Sequence, residues 1–178
     1  MCNNHFIMRN TKKKYLVIII ISVLTFAGLA LCYIKKDKMK QTSPIEIFPE
    51  ITAKLYKGGV YTVPQEYKGG KTMVVFFSPE CELCEEELNV ILNNELPSSN
   101  RWVFISFSFL KDELDYFLEQ TPIDTLNNSV ILLEDSPKYH SLFHVIGPPS
   151  LFVYNEEGEL VHSSYGKVDD RTLIDWVK

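Results

Sequence analysis

The junction between residues 71–77 and the run that follows constrains the fold most. KTMVVFF is a continuous stretch of apolar, β-branched and aromatic residues, the pattern of a strand covered on both faces. Shortly after it comes Cys81-Glu82-Leu83-Cys84, and then EEELNVILNN, with acids where a helix begins. In that helix Leu83, Leu88, Ile91 and Leu92 are expected to face inward. A covered strand feeding a helix requires a sheet layer and a helix layer, and here two cysteines sit at the seam.

On a helix, residues i and i+3 lie within disulfide reach. The first cysteine meets the helix's free N–H groups and dipole, which stabilise a thiolate, so Cys81 is the expected nucleophile. Cys84, one turn further in, is placed to resolve a mixed disulfide. Half of a metal site, or two incidental thiols, are the other readings of the pair. Zinc needs four ligands, and no second Cys/His pair with suitable spacing follows; His140 and His144 stand apart from other strong ligands.

Elsewhere, residues 52–55 and 60–63 flank Gly58-Gly59 and read as a hairpin. Residues 102–107 form a second covered strand, and 111–119 a helix with Leu114, Phe117 and Leu118 inward. A short strand over 130–133 and a short helix over 137–143 follow. Strands 151–154 and 160–165 are joined by Asn155-Glu156-Glu157-Gly158, and Asp169 can cap a last helix through Trp176. This order implies an α/β fold with a central mixed β-sheet flanked by helices on both sides. Phe76, Phe77, Trp102, Phe104, Phe107, Phe143 and Phe152 are expected in the core. His140, His144 and His162 are expected at the surface or rim.

Residues 15–34, YLVIIIISVLTFAGLALCYI, carry no charge over about the length a bilayer-spanning helix requires. The preferred reading is a retained transmembrane anchor; the alternative is a secretory signal cleaved near Ala30. Bulky Leu31 argues against lipidation at Cys32. Basic residues flank the run on both sides, so charge does not orient it. Residues 35–43 read as a basic tether, and 44–178 as the folded domain. Residues 1–43 hold eight Lys/Arg against one acid; residues 44–178 hold ten against twenty-two, a balance of −12. So acidic a domain argues against nucleic acid as a partner and weakly favours basic proteins over acidic ones. Cys2 and Cys32, on the N-terminal segment and inside the apolar run, cannot reach Cys81, so no disulfide framework exists.

A second landmark is IGPPSLFVYNEEGEL, residues 146–160, where a proline opens a strand and a cis peptide can bring backbone beside another loop. A strand, CxxC and helix, then Gly-x-Pro before an apolar strand and an Asn-x-x-Gly turn, resemble the thioredoxin-like superfamily. More narrowly, the chain resembles bacterial membrane-anchored, extracytoplasmic thiol–disulfide oxidoreductases, some of which serve cytochrome c maturation. The likeness runs from about residue 61 to the C-terminus.

That resemblance implies a thioredoxin-like domain behind an N-terminal transmembrane helix. It implies an enzyme that reduces disulfides in extracytoplasmic proteins, without a cofactor, and draws electrons from a membrane thiol relay. The chain would pass once through the bacterial inner (cytoplasmic) membrane, with residues 1–14 cytoplasmic. Spacing to Gly158 favours Pro149 over Pro148 as the family's cis-proline, which lies against the CxxC, deters metal and orients a bound peptide. Glu87 matches an acid that handles the second cysteine's proton in such relatives; on the residues alone it is equally a solvated glutamate. Three departures stand out. Glu80 replaces a usual Trp, and with Glu82 and Glu85–Glu87 it opposes thiol ionisation, so a working nucleophile but a poor oxidant is expected. Val75 stands where thioredoxin has a buried acid. Pro148 lacks the N–H that would pair with a substrate peptide. The rival reading is a non-catalytic protein-binding module of the same fold whose CxxC is a static bridge. A thiol peroxidase is a third reading, disfavoured because its Pro-x-x-x-Thr-x-x-Cys arrangement is absent.

Overall fold

The computed structural model describes residues 45–178; the expected cytoplasmic segment, anchor and tether fall on residues 1–44, outside the described residues. In chain order the strands are β1 (Ile51–Leu55), β2 (Val60–Val63), β3 (Thr72–Phe76), β4 (Arg101–Phe107), β5 (Ser129–Glu134), β6 (Ser150–Tyr154) and β7 (Leu160–Tyr165). The helices among the described residues are α1 (Glu82–Leu92), α2 (Lys111–Gln120), the short α3 (Lys138–Leu142) and α4 (Asp170–Val177). The strands form one sheet in the order β2-β1-β5-β4-β3-β6-β7. Pairings β3–β4 and β4–β5 are parallel, and the rest are antiparallel, so the sheet is mixed as expected.

Every residue of β3 is buried, because the strand lies inside the sheet with side chains covered above and below. Its alternation sorts them. Met73 and Val75 join one core with Cys84, Leu88 and Ile91 of α1, Leu114 and Phe117 of α2, and Leu173 and Val177 of α4. Val74 and Phe76 join the other, with Tyr139, Phe143, Phe152 and Phe48. The crossovers β3-α1-β4 and β4-α2-β5 step the same way across the sheet, so their helices share a face. The connection from β5 to β6 returns past both strands, with α3 on the opposite face.

Three expectations need correction. Phe107, expected in the core, is only partly buried and joins neither cluster, because it is the last residue of β4. Leu83 does not face inward but is 49% exposed. At 100° per residue, Leu83 and Leu88 lie about 140° apart around the helix and cannot share its buried stripe. The stripe is instead Cys84, Glu87, Leu88 and Ile91, with a glutamate in an apolar position. His140 is not at the surface: its side chain keeps only 13% of its exposure, because buried Glu134 at the end of β5 supplies a partner for its Nδ1.

These positions set a test by equilibrium denaturation of the oxidised protein. Phe152→Ala removes a fully buried ring that meets Phe76, Phe143 and Tyr165, and should cost about 3–5 kcal/mol. Leu83→Ala should change stability by less than about 0.5 kcal/mol.

Candidate active site

β3 ends at Phe76, and the next N–H, that of Phe77, still bonds to the Ile105 carbonyl at 3.1 Å. The chain then turns, with Cys81 N–H bonded to the Ser78 carbonyl at 3.1 Å, and α1 begins at Glu82. Cys81 is the N-cap of α1 in extended conformation (φ −100°, ψ 105°), and its sulfur accepts the Cys84 N–H at 3.2 Å. The role usually played by Ser or Asp is filled by a sulfur atom. Cys81 and Cys84 are joined by a disulfide across a Cα–Cα distance of 5.2 Å. The two sulfurs are not equivalent: Cys81 is half-buried, whereas Cys84 has no exposure and belongs to the core. A partner can therefore reach the first sulfur and not the second. Among the described residues, no group of three His, Cys, Asp or Glu could hold a metal.

Glu87 is 1% exposed, three residues beyond Cys84 on the same buried stripe. Its Oε2 accepts the Val168 N–H at 2.8 Å. Burial pushes its carboxyl pKa up; the Val168 hydrogen bond and the charge of Lys167 pull the other way without cancelling the shift. The reading of Glu87 as solvated does not hold. Its neighbour Glu86 is the exposed one, paired with Lys167 at 2.5 Å.

The Pro148–Pro149 peptide is cis, with Pro149 buried and Pro148 exposed. Phe76 pairs with Ser150 in the β3–β6 register, so Pro149 falls at the next rung, beside Phe77, where the turn toward Cys81 starts. The Pro149 carbonyl accepts the Gly166 N–H at 2.8 Å. Two residues later comes the Val168–Glu87 bond, so the strap between β7 and α4 links the proline loop to the cysteine helix. Sequence reasoning missed this strap; the available signal was the glycine directly after β7, Gly166, which takes φ +99°. It also missed the Glu134–His140 pair, whose signal is a charged residue ending an otherwise apolar strand. His144 is half-buried at φ +55°, five residues before Pro149, and His162 stacks on Trp176 with centroids 4.8 Å apart.

Several solved structures share this architecture. StoA from Bacillus subtilis matches with 20% identity and a TM-score of 0.54, over 75% of this chain and 99% of that one. The thioredoxin domain of a thiol-disulfide oxidoreductase from Bacteroides vulgatus matches with 21% identity and a TM-score of 0.59, over 78% and 100%. A secreted Mycobacterium tuberculosis disulfide oxidoreductase, homologous to E. coli DsbE, matches with 16% identity and a TM-score of 0.58, over 71% and 93%. No protein-family model matches the sequence, and no curated protein does. At these identities the likeness shows the fold, which is thioredoxin-like.

A pKa raised by folding means the unfolded chain ionises Glu87 first as pH rises. Stability attributable to this group is therefore full below the ordinary glutamate pKa and is lost as pH climbs toward the folded-state value. Glu87→Gln keeps an acceptor for Val168 without the charge. In urea titrations of the oxidised protein, the variant should be more stable than wild type at pH 7, and the gain should shrink as pH falls to about 4.

Proposed function

We propose that the chain is a thiol–disulfide oxidoreductase that reduces disulfides in proteins outside the cytoplasm. The observation that carries this is the asymmetry of the bridge: a reachable Cys81 sulfur at a helix N-terminus, closed on a fully buried Cys84. The thioredoxin-like fold and the cis-proline on the adjoining strand support it.

In the reduced form, the Cys81 thiolate attacks one sulfur of the partner disulfide. That S–S bond breaks, the partner's other sulfur leaves and takes up a proton, and a Cys81–partner mixed disulfide remains. Glu87 takes the Cys84 proton, and the Cys84 thiolate attacks Sγ of Cys81. The mixed disulfide breaks, the partner's second sulfur leaves as a thiol, and the Cys81–Cys84 bridge forms. Two electrons pass from the dithiol to the partner, whose two thiols take one proton from solvent and one from Glu87, which is left ionised as it began. A carboxyl whose proton affinity is raised by burial suits this transfer better than a solvated one.

A membrane dithiol relay would return two electrons to the bridge. In this reading the chain is anchored by residues 15–34 in a bacterial inner membrane with residues 44–178 outside, and cytochrome c maturation is one setting for it. The resemblance of CxxC, Gly-x-Pro and the apolar N-terminal run to tethered oxidoreductases supports these finer points. Pro149 shapes the peptide groove, and exposed Pro148 offers a partner no N–H.

Cys84→Ser in cells should hold a protein partner on Cys81 as a mixed disulfide, seen as a reductant-sensitive band that Cys81→Ser lacks. A Cys81 that is free and reactive yet captures nothing would sink the proposal in favour of a static binding module. In stopped-flow measurements, Glu87→Gln should leave the attack by Cys81 intact while slowing resolution by roughly 100-fold.

A further inference from the structure

The end of the sheet at which the thiol turn lies carries a group of rings that the exchange chemistry does not use. Phe107, the last residue of β4, stacks on His140, with centroids 4.3 Å apart and planes at 17°. It stacks also on Phe109, at 5.2 Å and 20°. The His140 ring is held by Glu134, which is 5% exposed and whose Oε2 accepts the Tyr139 N–H at 2.8 Å. Ser108 Oγ donates to Asp135 at 2.6 Å, tying the turn after β4 to the turn after β5. Phe109 is nevertheless 73% exposed. A ring so exposed, resting on a stack with a buried base, is held out to solvent in a defined place.

That place stands at the same end of the sheet as the thiols. Phe76 pairs with Ile105 and the Phe77 N–H bonds to the Ile105 carbonyl, so β4 runs on to Phe107 beside the segment that turns toward Cys81. The proline loop flanks the same turn from β6 on the other side. Carboxylates stand in the two segments at this end of the sheet: Glu80 and Glu82 at the cysteine turn, Asp112 and Glu113 in the first turn of α2, which begins two residues after Phe109. All four are exposed, and none makes an ion pair among the described residues.

We propose that this ledge is a docking surface for a basic protein segment that carries the disulfide. Phe109 receives an apolar side chain of that segment, and the four carboxylates select Lys or Arg beside it. The assignment rests on the exchange reading above and names which disulfides the site prefers. Charge complementarity fixes the occupant's chemistry: an acidic segment would meet like charge from both the cysteine turn and the first turn of α2.

The test uses the full-length reduced chain and peptide disulfides of equal length, flanked by Lys and Phe, by Glu and Phe, or by Lys and Ala. Second-order exchange rates should favour the Lys/Phe peptide over the Glu/Phe one by about tenfold at low salt, and the ratio should fall toward one at high salt. Replacing Glu80, Glu82 and Glu113 by Gln, with Asp112→Asn, should bring that ratio close to one. Phe109→Ala should abolish the roughly fivefold preference for the Phe flank over the Ala flank and leave the charge preference in place. Equal rates for all three peptides, or a Phe preference that survives Phe109→Ala, would overturn the ledge. Hydroxyethyl disulfide separates the two levels. A chain that exchanges with it but ranks the peptides equally loses only the ledge; one that fails to exchange with it loses the oxidoreductase reading and the ledge together.

Discussion

The rotational phase of α1 decides which sulfur faces outward, and most of the site follows from it. Leu88 and Ile91 are fully buried against the sheet, and each holds about 1.5–3 kcal/mol of burial energy that a rotation of the helix would forfeit. Those two residues fix the buried stripe, and i, i+3 and i+4 geometry then brings Cys84 and Glu87 inside. Cys81, one position before the first helical residue, is left at the mouth as N-cap. The division between a reachable and a hidden sulfur is thus set by aliphatic packing two turns away. Sliding the sequence by one residue on the same backbone, so that Leu88 took the place of Glu87, would move Glu87 to the exposed place of Glu86 and Cys84 to that of Leu83.

Placing a carboxylate on that stripe has a cost, visible in its raised pKa, and the strap after β7 offsets part of it. Val168 N–H gives the buried oxygen a partner, and a hydrogen bond to a charged acceptor contributes about 1.5–3 kcal/mol. Removing the glutamate's partner would leave an unsatisfied buried acid, so strap and helix are mutually dependent. The same strap, through Gly166, satisfies the carbonyl of Pro149. The proline loop and the cysteine helix, which come from opposite ends of the domain's sequence, are therefore braced by one short segment.

What could be read from the sequence divides along physical lines. The strands β3, β4 and β6 were legible to within a residue at either end, because strands covered on both faces must be apolar throughout and chains rarely satisfy that by chance. Cys81 and Cys84 were legible because a helix start after such a strand leaves few geometries open. The burial of Glu87 was not, since its partner lies 81 residues away, and local sequence shows only one acid in a row of three. Leu83 misled for the converse reason: hydrophobicity was read at a helical position that the packing phase rejects. Arg101 makes the same point. It is 7% exposed, its guanidinium 4.6 Å from the ring centroids of both Phe48 and Tyr67, with hydrogen bonds to Thr72 Oγ1 and the Pro64 carbonyl. Burial draws its pKa down to about 10, and no carboxylate is needed to hold it. None of those partners is adjacent in sequence.

The proline loop also limits how a peptide could be recognised. Strand-like pairing with the proline loop ahead of β6 needs free main-chain donors and acceptors there. Neither Pro148 nor Pro149 has an N–H, and the Pro149 carbonyl is already taken by Gly166. The Ser150 hydroxyl is likewise occupied, donating to the Gly147 carbonyl at 2.8 Å. Losing one main-chain hydrogen bond costs a ligand about 0.5–1.5 kcal/mol. Ile146 in the same loop is 82% exposed, and covering such a side chain returns about 1.5–3 kcal/mol. Side-chain burial therefore outweighs the missing backbone bond. A partner laid against this loop would gain more from apolar contact than it loses in backbone pairing, so discrimination between partners shifts from the peptide backbone, which all proteins share, to the particular residues beside the disulfide.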